Sequence, residues 1–89
     1  MSAFQVELRP AAVRQLKKIN RTDRLRLLGA IALLGEDPRP PSSRQLRGRP
    51  GWRVRVGDYR ILYTIDDGKV LVVVVAVAVA VGHRREVYE

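Results

Sequence analysis

The stretch WRVRVGDYRILYTI, residues 52–65, decides the fold of this chain of 89 residues. It contains two runs rich in β-branched and aromatic residues, and the turn-forming pair Gly57-Asp58 separates them. Two such runs joined by two turn residues are typical of a β-hairpin. The sequence therefore predicts that residues 52–56 and 59–65 pair as antiparallel strands.

The predicted register of this hairpin sorts its side chains onto two faces. With a two-residue loop, the predicted pairs are Val56 with Tyr59, Arg55 with Arg60, Val54 with Ile61, and Arg53 with Leu62. Because side chains alternate along a strand, the apolar residues share one face, and we expect helices to cover it. The residues of this face are Trp52, Val54, Val56, Tyr59, Ile61 and Tyr63.

The opposite face of the hairpin carries Arg53, Arg55 and Arg60. Like charges directly opposite each other destabilise a hairpin by a few tenths of a kcal/mol to about 1 kcal/mol. We therefore expect an anionic partner beside Arg55 and Arg60. The alternative is a solvated face on which these arginines form ion pairs with Asp58 or Glu86.

The N-terminal part of the chain predicts one strand and two helices. Residues 4–8 alternate between apolar and polar, and Pro10 is well placed to begin a helix. Residues 20–23 interrupt the helical pattern and offer N-caps, so the two helices form a hairpin. The side chains expected to point inward are Val13, Leu16 and Ile19 or Asn20 in the first helix, and Leu25, Leu28, Ala32 and Ile31 or Leu34 in the second, which ends at Gly35.

The rest of the chain completes the predicted sheet. Residues 37–43 contain three prolines and predict a linker. A strand is expected to start within residues 45–49, and the valine-rich run over residues 70–81 predicts a buried strand, with a short final strand over residues 85–88. The whole chain, residues 1–89, is therefore expected to be one α+β domain: an N-terminal strand, a helical hairpin and an antiparallel β-meander, with the helices packed on one sheet face.

The net charge of +8 indicates a polyanionic partner. Residues 39–60 contain seven arginines and one acid, a net charge of +6. This stretch includes Arg44, Arg47 and Arg49, and its functional interpretation is a groove that follows the phosphates of a nucleic acid. With no cysteine and one histidine, the chain predicts no disulfide scaffold, no metal site and no cofactor.

No segment predicts a membrane span or a targeting signal. The apolar run over residues 70–81 is shorter than the ~20 residues of a transmembrane helix, and it is mostly valine. The first nine residues lack the apolar core of a signal peptide. We expect a cytoplasmic protein with no membrane partner.

The ending GHRREVY, residues 82–88, is a second candidate for chemistry. RNA cleavage by internal attack needs a proton acceptor for the 2′-OH, cations that stabilise the phosphorane and a proton donor. His83 can exchange protons near neutrality, whereas Arg84 and Arg85 can only stabilise or bind phosphate. Tyr88 can stack on a base or pass a proton. The alternative is that His83 is a polar strand-end residue and that Tyr88 anchors the core.

These segments together resemble the RelE/ParE superfamily of bacterial toxin–antitoxin toxins, on the side of the RelE mRNA interferases. The resemblance rests mainly on YRILY, residues 59–63, paired with HRREVY, residues 83–88. LRPAA, DPRP and RQLRG, at residues 8–12, 37–40 and 44–48, extend it over almost the whole chain. It implies a compact α+β toxin that enters the ribosomal A site and cuts mRNA without a metal, using the 2′-OH and leaving a cyclic phosphate.

The resemblance also assigns roles to residues at matching positions. Arg53 and Arg55 match basic positions of the strand before the hairpin turn and would bind phosphate. The catalytic set that the resemblance implies is Arg60, His83, Arg84 and Tyr88. RelE has lysines at the positions of Arg53 and Arg55, and arginine is a poor proton acceptor, so His83 is the preferred residue for proton transfer.

The resemblance implies partners as well. An acidic, RelB-like antitoxin would wrap the toxin and mask its basic face, and operator DNA would be reached only through that antitoxin. The ribosome and mRNA would be the targets. Two alternatives remain open: a ParE-like inhibitor of DNA gyrase without nuclease activity, and an inactive RelE homologue that only binds antitoxin. Codon preference, the antitoxin's identity and the oligomeric state have no signal in the sequence.

The valine-rich strand departs from the pattern of the family. It is about four residues longer than we expect, and an even insertion preserves the face that each side chain takes. The extra residues could lengthen the strand, form a bulge, or move the C-terminal cluster away from Arg60.

Overall fold

One five-stranded sheet and two helices make up the part of the chain that the computed structural model describes, residues 3–79. The elements are, in chain order, β1 (Gln5–Leu8), α1 (Pro10–Lys17), α2 (Arg21–Glu36), β2 (Arg44–Gln45), β3 (Trp52–Val56), β4 (Tyr59–Asp66) and β5 (Leu71–Val79). The α+β layout with helices packed on the sheet is confirmed. The final strand predicted over residues 85–88 lies outside the described residues.

The strands lie in the order β1-β5-β4-β3-β2, so β5 has a neighbour on both sides. Its pairing with β4 is antiparallel, whereas its pairing with β1 is parallel and joins Gln5 to Leu71 and Leu8 to Val74. A parallel pair needs a long crossover connection. Here the connection from β1 to β5 begins with α1 and α2. The parallel pair was not among the predictions. It places Val72 and Val74 in the interior with no exposed surface.

The central hairpin has the predicted register, with Val56 opposite Tyr59 and Arg55 opposite Arg60. Gly57 begins the turn with a φ of 59°, a left-handed conformation that side chains disfavour. A Cβ atom at this position would also lie 2.9 Å from a guanidinium nitrogen of Arg26. The backbone therefore favours glycine here, whereas the flexible Arg26 side chain could move away from a Cβ atom.

The starts of both helices agree with the sequence. Pro10 is the first residue of α1, where its missing amide hydrogen has no cost to the helix. Asn20 caps α2, and its side-chain oxygen accepts a hydrogen bond from the Asp23 amide at 2.9 Å. This capping bond satisfies one of the amides that a helix leaves unpaired in its first turn.

The buried face of α2 differs from the prediction. Leu27, Ile31 and Leu34 pack against the sheet, whereas Leu25 and Leu28 are 54% and 41% exposed and Ala32 is exposed. Both sides of this helix are apolar, so the periodicity of the sequence does not determine which side faces the sheet. The helix also continues one residue past Gly35, to Glu36.

Two smaller predictions are also corrected. In α1 the fully buried residue is Ala12, and Val13 is 37% exposed. The strand expected within residues 45–49 is only Arg44–Gln45. The chain then forms a loop that the Leu46 amide closes by donating to the Gly51 carbonyl at 2.9 Å. Pro50, inside this loop, has no amide hydrogen to donate to a strand ladder.

A one-residue bulge interrupts β5 at Val75. Leu62 pairs with Ala76 and Tyr63 pairs with Val74, so Val75 has no partner in β4. Before the bulge the even-numbered residues Val72 and Val74 are buried, and after it the odd-numbered Val77 is buried. A bulge is one of the three outcomes considered for the long valine run, and the position of the C-terminal cluster relative to Arg60 lies outside the described residues. A single extra residue reverses the alternation of faces, unlike the even insertion that we considered.

The predicted linker, residues 37–43, is fixed to the sheet by side chains. The buried Tyr63 hydroxyl donates a hydrogen bond of 2.8 Å to the Pro38 carbonyl, and burial raises the pKa of Tyr63. Arg39 donates two hydrogen bonds to Asp67, at 2.8 and 3.2 Å, and its guanidinium lies 5.5 Å from the centre of the Trp52 ring. The hydrogen bond from Arg39 lowers the pKa of Asp67.

The orientation of α2 makes a prediction about two adjacent leucines. Truncating the fully buried Leu27 with Leu27→Ala should lower the free energy of unfolding by about 2–5 kcal/mol, because it leaves a cavity against the sheet. The matched variant Leu28→Ala should cost less than ~1 kcal/mol, since Leu28 is 41% exposed. Urea unfolding of both variants measures the difference. Equal costs would contradict the orientation described above.

The contact between Arg39 and Asp67 makes a prediction about pH. Since the pKa of Asp67 is lowered in the folded chain, the pair stabilises the fold above the unfolded-state pKa of Asp67. That contribution is lost as the pH falls through the folded-state pKa. In Arg39→Gln, an NMR titration should show the Asp67 carboxyl titrating at higher pH than in the wild type. Identical titration curves would show that the pair does not form in solution.

Candidate nucleic-acid interface

The two faces of the sheet differ in what covers them. The helices pack on one face, where the buried residues Val54, Ile61 and Tyr63 point. On the other face, β3 and β4 present Arg53, Arg55 and Arg60, as the face sorting predicted. We call this second surface the outer face of the sheet. No helix within residues 3–79 lies on it, so the described part of the chain leaves these side chains uncovered.

Four arginines form two cross-strand pairs on the outer face. Arg55 is the register partner of Arg60 across β3 and β4, and Arg44 is the partner of Arg53 across β2 and β3. Directly opposed residues have Cβ atoms about 4.5–5.5 Å apart. The pair of Arg44 and Arg53 was missed by the sequence analysis, which placed the start of β2 one residue later. The four arginines therefore occupy adjacent positions on three neighbouring strands.

These pairs have no acidic partner in the described part of the chain. Between residues 3 and 79, ion pairs join Arg26 to Asp23 and Arg39 to Asp67, and neither involves the outer face. Of the alternative partners considered, Asp58 forms no ion pair with these arginines, and Glu86 lies outside the described residues. The repulsion within each pair is thus uncompensated by residues 3–79, and a bound anion would relieve it.

Hydrogen bonds to backbone carbonyls fix two of these side chains. One terminal nitrogen of Arg44 donates to the carbonyls of Pro41 and Ser43, at 3.1 and 2.9 Å. Nε of Arg55 donates to the Gly57 carbonyl at 3.4 Å. Each arginine uses one nitrogen for these bonds, so its other donors remain for a phosphate.

The remaining arginines of the basic stretch are placed differently. Arg39 is engaged by Asp67 and Trp52 and is therefore not part of the outer face. Arg47 and Arg49 are exposed in the loop after β2. Arg49 lies at the rim of a cavity of about 460 Å³ that opens beside the arginine pairs. Arg47 has no such position.

The cavity itself is mostly apolar, and the sequence analysis did not predict it. Leu62, Val75 and Ala76 of the sheet and Leu46 and Pro50 of the loop line it. The only signal in the sequence was the extra length of the valine run, and the bulge at Val75 accounts for one residue of it.

The C-terminal cluster, which includes the proposed proton-transfer residues, is not part of the described structure. His83, Arg84, Arg85 and Tyr88 all lie outside the described residues. The described part of the outer face offers guanidinium groups, which stabilise negative charge and do not exchange protons. Within residues 3–79, no group of three or more His, Cys, Asp or Glu side chains is arranged to hold a metal ion. No helix in that range is long and apolar enough to cross a membrane.

Comparison with solved structures shows a consistent fold. The intact E. coli RelBE toxin–antitoxin complex contains a chain with 28% sequence identity and a TM-score of 0.77, and the match covers 90% of this chain and 100% of that one. The isolated E. coli RelE toxin matches with 26% identity and a TM-score of 0.79, covering 97% and 94%. The RelBE2 complex of Mycobacterium tuberculosis matches with 28% identity and a TM-score of 0.79, covering 91% and 97%.

Sequence comparison gives the family. No curated protein matches the chain. The family model of the ParE toxin of type II toxin–antitoxin systems, parDE, matches residues 6–88, which is nearly the whole chain. With its RelE-like fold, the chain is therefore a toxin of the RelE/ParE superfamily and belongs to the ParE toxin family of type II toxin–antitoxin systems.

Proposed function

We propose that this toxin is a ribosome-dependent endoribonuclease that cuts mRNA in the ribosomal A site by attack of the 2′-OH, without a metal. The observation that carries the proposal is the pair of opposed arginines, Arg55 and Arg60, beside a second pair on the outer face. These four arginines form no ion pair with an acid among residues 3–79, and their charges suit the phosphates of a single RNA strand. Within residues 3–79, no helix covers the outer face and excludes that strand.

Each arginine has a role that its chemistry allows. Arg60 is half-buried between Arg55 and β5, and it would stabilise the extra negative charge of the phosphorane. Arg53, Arg55 and Arg44 would bind the scissile phosphate and its neighbours by bidentate hydrogen bonds. Arg47 and Arg49 would contact phosphates further along the strand. None of them can accept the proton of the 2′-OH.

Proton transfer is therefore assigned to the C-terminal cluster, on the basis of its sequence. His83 would accept the 2′-OH proton, because its imidazole titrates near neutral pH. Arg84 would add charge stabilisation, and Arg85 would bind phosphate. Tyr88 would stack on a base or return a proton to the 5′-oxygen.

The partner in the cell would be an acidic, RelB-like antitoxin. In the solved complexes, RelE toxins of E. coli and Mycobacterium tuberculosis are bound to their antitoxins. An acidic segment laid on the outer face would neutralise the arginine pairs and exclude mRNA from the same surface. Operator DNA would be bound only through the antitoxin. The toxin would act in the cytoplasm, where it meets the ribosome.

Removing Arg60 tests the proposed nuclease directly. After expression in cells, mapped mRNA 5′ ends should show cuts at codon-defined positions with the wild type. Arg60→Ala should reduce this cleavage about 100- to 1,000-fold, the usual loss when one donor to a developing anion is removed. His83→Gln and Tyr88→Ala should also abolish the cuts.

A control for lost charge is Arg14→Ala, on the exposed side of α1. It removes one cation away from the outer face and should leave cleavage unchanged. Equal losses in Arg14→Ala and Arg60→Ala would mean that total charge, rather than the arginine pairs, supports the activity. Cleavage unaffected by Arg60→Ala would contradict the proposed role of Arg60.

The second candidate function is inhibition of DNA gyrase, and the match to the ParE family model favours it. We expect the purified toxin to leave gyrase supercoiling of a plasmid unchanged, because the arginine pairs suit a single RNA strand. Inhibited supercoiling with intact mRNA would establish the gyrase function instead. Neither activity, with antitoxin binding retained, would indicate an inactive homologue.

A further inference from the structure

The cavity on the outer face has the chemistry of a base-binding site. We propose that it holds one unstacked base of single-stranded RNA while the neighbouring arginines hold the phosphates. This inference rests on the proposed function, because it requires RNA to bind the outer face. It adds an apolar subsite beside the arginines, at side chains to which neither the family resemblance nor the charge pattern assigned a role: Leu46, Pro50, Leu62, Val75 and Ala76.

The bulge in β5 builds the floor of this cavity. In a regular strand, successive side chains point to opposite faces. Because Val75 is the extra residue of the bulge, Val75 and Ala76 both line the cavity, and Val75 is 40% exposed. With Leu62 they make an aliphatic floor two strands wide. This floor is a small apolar surface on a basic face, and it has no packing role within residues 3–79.

The position of the floor relative to the arginines matches the geometry of a nucleotide. Arg53 is the register partner of Leu62, which in turn is the partner of Ala76. Neighbouring strands lie about 4.8 Å apart. Arg53 therefore lies one strand away from Leu62 and two strands away from Ala76. A phosphate bound by Arg53 would therefore place its own nucleotide's base over Leu62 and Ala76.

The walls and rim of the cavity also suit a base. Leu46 and Pro50 rise from the loop after β2 and would contact one edge or face of a planar ring. Arg49 at the rim can stack on a base or bind the next phosphate. The Thr64 hydroxyl, also in the lining, can donate to or accept from the polar edge of a base. A volume of about 460 Å³ admits one base with accompanying water.

Charge distinguishes RNA from an apolar peptide as the occupant. Of the residues that line the cavity, Arg49 is charged and none is acidic, and the adjacent row carries Arg44 and Arg53. A polyanion with apolar faces satisfies both parts of this surface. Single-stranded RNA has that composition along its whole length, because every phosphate is followed by a base with two π faces.

The test measures binding of a short RNA that cannot be cleaved, a 2′-O-methyl pentanucleotide with a fluorescent label. Replacing its bases one at a time by abasic sites should weaken binding about 5- to 20-fold at one internal position, within the range for loss of one base contact. At the other positions, the expected change is less than about twofold.

The matched protein variants are Ala76→Leu and Val73→Leu. Both enlarge a side chain of β5 on the outer face, but Val73 does not line the cavity. Ala76→Leu should weaken binding of the intact RNA by the same factor as the sensitive abasic site, and binding should no longer depend on that base. Val73→Leu should change neither. Leu62→Ala removes part of the floor without filling the cavity, and it should also reduce the base dependence. This second variant tests the site even if Ala76→Leu destabilises the sheet.

Three results would overturn the inference, and they separate it from the proposed function. If the RNA binds through the arginines but neither the abasic sites nor Ala76→Leu has an effect, the cavity is not a base site and the nuclease proposal is unaffected. If the wild type does not bind the RNA at all, the base site fails, whereas the ribosome-dependent nuclease is decided separately by the mapped mRNA 5′ ends. If Ala76→Leu weakens an acidic, leucine-containing peptide but not the RNA, the cavity belongs to a protein partner.

Discussion

The parallel pairing of β1 with β5 is the constraint on which the rest of this toxin depends. It joins residues 5–8 to residues 71–74 and makes β5 an interior strand. Both helices lie between these strands in sequence, so the pairing brings them back over one face of the sheet. Two backbone hydrogen bonds reinforce this arrangement, from the Phe4 amide to the Gly35 carbonyl at 2.6 Å and from the Arg9 amide to the Val74 carbonyl at 2.9 Å. The other face is left to the arginines.

The two faces of the sheet differ in their physical chemistry, although the same strands form both. The inner face needs close packing, and Ile61, Tyr63 and Val74 are almost completely buried there. The outer face carries opposed arginines, whose mutual repulsion weakens strand pairing. The bulge at Val75 connects these requirements, because it keeps Val77 in the core while adding an apolar side chain to the outer face. Close packing and surface charge are thus separated by face but coupled through β5.

Local signals in the sequence predicted the parts of the fold that depend on local chemistry. The turn residues Gly57-Asp58 and the alternation around them determine the hairpin register, and Asn20 determines where α2 begins. The inward face of α2 depends on contacts with distant strands, and its two sides are similarly apolar, so Leu28 was assigned wrongly. The cavity depends on where β5 takes up an extra residue, which only the register against β4 determines. The arginines of β3 and β4 were found because charge and alternation are both visible in sequence.

The long sequence separation between β1 and β5 bears on how the toxin is made. During synthesis β1 leaves the ribosome early, but its partner strand follows only after 66 further residues, from Gln5 to Leu71. In the meantime β3 and β4 can pair with each other, but an isolated two-stranded hairpin is marginally stable in water. The pair of Arg55 and Arg60 is therefore held in position only when β5 has joined the sheet. Any function of these arginines would begin only after this late, non-local pairing is complete.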